Sequence, residues 1–163
     1  MPIVVTNCTN RKRGIITPLL SASSLNRASI SKVAAQWIDR LRIAPADKHA
    51  RDVYCGRSFR EAEASALDLG ASLYIVSAGL GIVDSNRRVP VYDLTTASGT
   101  GNTILNRIVG ATTPQSWWSL ISQRTPFGLC LMDMLAKHPT DLILIALSRP
   151  YVELIHEIYS KKS

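Results

Sequence analysis

At 163 residues, with 46% hydrophobic and 19% charged side chains, the chain can bury one continuous core and is too apolar for a disordered tail. Lys and Arg outnumber Asp and Glu by 19 to 12, and this net charge of +7 favours an anionic partner, nucleic acid first and acidic lipid second. The three cysteines have no CxxC spacing and His49, His138 and His156 have no ligand spacing. These patterns argue against a disulfide frame and a metal centre and predict ordinary surface histidines in a reduced, cytoplasmic protein without a cofactor.

The chain opens on Ile3-Val4-Val5-Thr6, an aliphatic burst without alternation, as expected of a strand buried on both faces. It exits into Asn7-Cys8-Thr9-Asn10 and then into the cations Arg11, Lys12 and Arg13. No secretory leader is expected, because the basic cluster follows the apolar run. Ser29 to Ile43 carries apolar residues at helical period, among them Val33, Trp37 and Leu41. Asp52 to Phe59 gathers Tyr54, Gly56 and Arg57 before a helix whose start is marked by a Ser58–Glu61 capping box and whose end is marked by Gly70.

Leu73 to Val76 is the second strand. It exits into Ser77-Ala78-Gly79-Leu80-Gly81, and an irregular stretch follows with Asp84, the pair Arg87-Arg88, and Val91-Tyr92-Asp93. Pro114 starts a third helix bearing Trp117 and Trp118, which are expected to pack as core plus rim. A fourth helix is expected over about Leu129 to Lys137. Leu142 to Leu147 is the third strand, far shorter than the about 20 residues a membrane span needs. It exits into Ser148, and Pro150 opens a last helix carrying Val152, Leu154, Ile155 and Ile158. Alternating strands and helices predict a single α/β domain over residues 1–163, a three-layer sandwich whose mostly parallel central sheet is flanked by helices.

In such sheets ligands bind outside the carboxyl ends of the strands, and all three exits here begin with a small hydrogen-bonding side chain. The glycines after Ser77 admit close approach of a flat ligand or a tight turn; without GKS, GKT or a third glycine they are no phosphate loop. Tyr54 and Arg57 either stack and steady a base or pack and cap. Asp93 either stabilises charge developing on a sugar carbon or holds a turn. Cys8 has no histidine close in sequence and is expected to line the site. Glu61, Glu63 and Glu153 fall on helices and are expected to be solvated or capping.

The pieces Asn7-Cys8-Thr9, Val53 to Phe59, Ser77 to Val83 with Val91-Tyr92-Asp93, and Ser148 to Val152 together resemble a group of uncharacterised bacterial and phage-associated α/β proteins placed near the YaaA-like family. Val91 stands where that group has the proline of PYD, and Arg11 to Arg13 extend its first motif. The group is distantly similar to the uracil-DNA-glycosylase architecture, although neither GxDPYH nor HPS is present here. The resemblance implies recognition of a nucleobase, normal or of the modified kind met in phage defence or DNA modification, with hydrolysis of its N-glycosidic bond. On that expectation Asp93 is catalytic. Asn7, Cys8, Tyr54, Gly56, Ser77, Gly79, Tyr92 and Ser148 bind the base, and Arg11, Lys12, Arg13, Arg57, Arg87 and Arg88 hold the backbone of DNA in preference to RNA. The alternatives are a non-catalytic nucleotide or modified-base sensor, and a partner-binding domain using the Trp117-Trp118 pair.

Overall fold

The computed structural model describes residues 1–160, and the Ile158 side chain expected on the last helix lies outside what it describes. A four-stranded sheet forms the centre, in the order Gly81–Asp84 (β4), Ser72–Ser77 (β3), Ile3–Asn7 (β1) and Ile143–Ala146 (β6). The aliphatic bursts at β1 (Ile3–Asn7), β3 (Ser72–Ser77) and β6 (Ile143–Ala146) are its three parallel strands. β1 is central, with Ile3 opposite Ser72 on one side and Ile143 on the other. The fold is therefore mixed α/β on a mostly parallel sheet, as the alternating pattern predicts.

Between β1 and β3 run α1 (Ile30–Ile43), a two-residue strand β2 (Lys48–His49), the single turn α2 (Ala50–Val53) and α3 (Arg57–Asp68). α3 packs on β1 and β3, burying Phe59, Ala62 and Ala66. After β3 the chain turns back at once into β4 (Gly81–Asp84), antiparallel to it with Val83 opposite Ile75. The segment expected to be an irregular ligand loop is thus a hairpin. β5 (Arg88–Val89) then pairs with β2.

α4 (Pro114–Arg124) starts at its proline, and Thr113 caps it by accepting from the Ser116 N–H. It packs against α1, β4 and α6 (Arg149–Ser160). Trp117 and Trp118 are both fully buried, so the pair is core throughout and offers no interface. α5 (Leu131–Lys137) begins two residues later than the pattern suggests, because Leu129 exchanges both backbone hydrogen bonds with Ile82 and extends the β4 edge.

Three further expectations are corrected. Ser58 makes no capping bond: α3 begins at Arg57 after Gly56, whose φ of 123° suits glycine alone, and Glu61 pairs with Arg57 instead. β6 is not buried on both faces, since Leu144 and Ile145 are exposed at the sheet edge. His138 is no ordinary surface residue. It is half-buried, with Nε2 3.0 Å from the Tyr74 hydroxyl and Nδ1 2.9 Å from Asp141.

Candidate functional site

The turn after β3 is sealed from inside. Three indole N–H groups donate to three successive carbonyls: Trp118 to Ser77 at 3.0 Å, Trp117 to Ala78 at 3.0 Å and Trp37 to Gly79 at 2.7 Å. Ser77 Oγ accepts the N–H groups of Gly79 and Leu80, which leaves its own proton for the Tyr92 hydroxyl. Tyr92 in turn meets the Tyr54 hydroxyl at 2.9 Å. A Cβ on Gly79 would stand 3.0 Å from the Tyr92 ring and 3.1 Å from Trp37, so glycine serves close packing here. Ser77, Tyr54 and Tyr92 are all fully buried, and burial, with nearby Cys8 adding to the effect, pushes both phenols above the ordinary tyrosine range. These four residues build the floor beneath the carboxyl edge. They expose no face on which a base could stack or pair.

Other residues expected to bind the base also carry structural bonds. Asn7 sits at the end of β1, where its Oδ1 accepts the Ser148 N–H at 2.9 Å and its amide donates to the Cys8 carbonyl. It thereby ties β1 to the start of α6. Cys8 is buried, its Sγ 2.9 Å from the Tyr151 hydroxyl, and burial raises that phenol with Cys8 adding to the effect. Ser148 is exposed at the same edge. Among the described residues, no group of three or more His, Cys, Asp or Glu side chains is placed to hold a metal ion.

Asp93 and Lys12 lie beside this floor, near enough for their charges to interact but with no ion pair between them. Asp93 is half-buried. Asn102 donates to its Oδ1 at 2.7 Å, and the same amide reaches Asn10 Oδ1 at 2.9 Å. The Asp93 backbone is fixed to Leu20 and Ala22. Lys12 turns inward from the basic run: its ammonium lies 4.4 Å from the Tyr92 ring centroid, while Arg11 and Arg13 stay exposed. Burial lowers the Lys12 pKa, against the opposing pull of Cys8, Asp93 and Cys55.

The cations expected to hold phosphates divide into separate places. Arg11, Lys12, Arg13 and Arg60 line one cavity of about 300 Å³ together with Cys55 and Gly56, and no carboxylate is among its lining residues. Arg57 lies just outside that set, paired with Glu61 at 2.8 Å. Arg87 donates to the Pro126 carbonyl beside Phe127, and Arg88 donates to the Asp47 carbonyl. Comparison with family models, curated proteins and solved structures finds no match for this chain.

Sequence reasoning missed Arg60 and Asn102. Arg60 is four residues from Gly56 on the first turn of α3, so its spacing from Arg57 was the available signal once the helix start is placed correctly. Asn102 lies in a loop of Gly, Ser and Thr where nothing local marks it. What the edge can do chemically follows from its parts. The cavity gathers three guanidinium groups and the Lys12 amine beside the Gly56 entry to α3, a setting that attracts phosphate or carboxylate oxygens. Beside it stands one oriented carboxylate, and its amine is desolvated.

Proposed function

We propose that this chain binds nucleic acid at the carboxyl edge of its sheet and hydrolyses the N-glycosidic bond of an extruded base, normal or modified. The observation that carries the proposal is the cavity lined by Arg11, Lys12, Arg13 and Arg60 at the start of α3, with the Asp93 carboxylate close enough to act on the Lys12 charge. Arg11, Arg13 and Arg60 hold a phosphate flanking the target nucleotide. Asp93, oriented by Asn102, stabilises positive charge developing on the sugar carbon or directs a water to it. Asn10 and Ser148, both exposed, take the edge contacts that buried Ser77 cannot make. A central parallel strand with its ligand edge at the carboxyl end is compatible with a uracil-DNA-glycosylase-like arrangement. The free thiols Cys8, Cys55 and Cys130 suit a cytoplasmic setting, and a role in phage defence or DNA modification would supply a modified base.

The test incubates the protein with unmodified DNA, hypermodified phage DNA and RNA, and measures abasic sites and released base. Base release that falls by about 100-fold in Asp93→Asn, with binding kept within about threefold, is the expected result. Binding without product on every substrate would overturn hydrolysis and leave the second reading, a non-catalytic modified-base or nucleotide sensor. The nucleotide form of that reading has its own support in the burial of Tyr54, Tyr92 and Ser77, which removes the stacking platform a flipped base would use and leaves the arginine cavity to hold a ligand by its phosphate.

A further inference from the structure

Lys12 differs from the chain's other described lysines in its surroundings. Lys32, Lys48 and Lys137 are exposed, whereas Lys12 is half-buried over the Tyr92 ring and forms no ion pair among the described residues. Among the described residues, the only hydrogen bond of its ammonium is a long one, 3.5 Å to the Asn10 carbonyl. It lines the same cavity as Arg11, Arg13 and Arg60, so an anion held by those guanidinium groups is brought beside an amine.

We infer that Lys12 is a carbonyl-reactive amine, and that this cavity takes a phosphorylated aldehyde of the sugar-phosphate class, which nucleic acid presents as the open-chain deoxyribose of an abasic site. The neutral Nζ attacks the aldehyde carbon with its lone pair. A C–N bond forms while the C=O π pair moves to oxygen, and a proton passes from nitrogen to that oxygen. Loss of water then gives the imine, so amine plus aldehyde yields imine plus water with no oxidant or reductant. Groups of several elements face the amine: Cys8 from the exit of β1, Tyr92 and Asp93 from the segment after β5, and Cys55 from the loop before α3. Burial favours the neutral nucleophile over the ammonium. Once the imine is protonated, the Tyr92 face and the Asp93 charge stabilise the cation that results.

The full chain is incubated with an oligonucleotide bearing one abasic site, with free deoxyribose 5-phosphate, or with deoxyribose, each with cyanoborohydride to reduce any imine, and adducts are located by peptide mass mapping. Adduct is expected on Lys12 at least about tenfold above Lys32, Lys48 and Lys137, and both phosphorylated arms are expected to exceed deoxyribose by about tenfold. Lys12→Arg should lose the adduct, and Arg60→Gln should shrink the advantage of the phosphorylated arms several-fold. Faster trapping on the oligonucleotide assigns the aldehyde to nucleic acid, and faster trapping of the free compound assigns it to a sugar phosphate. Labelling spread evenly over the lysines of the wild-type chain, or equal labelling by deoxyribose and its phosphate, would overturn the inference. Base release is not needed for trapping, so a chain that frees no base but is trapped at Lys12 retains this inference and loses the glycosidase.

Discussion

Three tryptophans and a serine decide the chemistry of the turn after β3, residue by residue. Each indole N–H donates to a carbonyl that would otherwise be stranded in the core, and a stranded carbonyl costs the full desolvation of the group. Trp37→Phe keeps most of the packing and removes the donor to Gly79. Urea unfolding should show a loss of about 1–3 kcal/mol, and a loss below about 0.5 kcal/mol would mean that the bond contributes nothing net. The buried phenols add a pH dependence. Tyr54 and Tyr92 stand above the ordinary value of 10.0, so as pH rises an unfolded tyrosine gives up its proton before the folded one does. Their contribution is whole below pH 10 and is lost as pH climbs from there toward the folded value. Lys12 has the opposite sign, because its lowered pKa makes its burial least costly at high pH. Tyr74 and Tyr151 are raised in the same direction, so with four phenols against one amine the urea midpoint should fall above about pH 10, and Tyr92→Phe should flatten that fall.

At the scale of elements, what the sequence shows and what it hides have the same physical cause. The strands β1, β3 and β6 are legible because an unbroken aliphatic run has few other uses in a short segment. The start of α4 is legible because Pro114 and Thr113 signal locally. The turn after Ser77 is not, because its donors lie 39 to 42 residues away in the chain and no window contains them. The small polar residues there look like a ligand loop until the tryptophans are placed over them. The start of α3 is misread for another reason: a capping box and a glycine cap compete, and the backbone follows Gly56. Gly56→Ala should therefore strain the φ of 123° and lower stability by about 1 kcal/mol or more, seen as a shifted thermal midpoint, whereas Ser58→Ala should change it by less than about 0.5 kcal/mol. A reversed order would restore the capping box.

For the whole molecule, the question is how a net charge of +7 is spread over the surface. Counting cations in the sequence treats Arg11, Lys12, Arg13, Arg57, Arg87 and Arg88 as one rim, and the fold does not. Arg57, Arg87 and Arg88 are occupied by a carboxylate or by carbonyls, Lys12 turns inward, and Arg60 joins Arg11 and Arg13 from a different element. Only a cation without such a partner can release counterions from a polyanion at full effect, since one already occupied must first give up what it holds. Binding to a short DNA duplex or single strand, measured by anisotropy between low and moderate salt, should give a linear fall of log K with log salt. Replacing Arg11, Arg13 and Arg60 together with Gln should reduce that slope by about 2 to 3. Replacing Arg87 and Arg88 with Gln should reduce it by less than about 1, although the two replacements alter the net charge by comparable amounts. Equal reductions per charge removed would mean that the anion meets the overall field of the protein. A loss confined to the first set would place it at the carboxyl edge, beside Asp93 and Lys12.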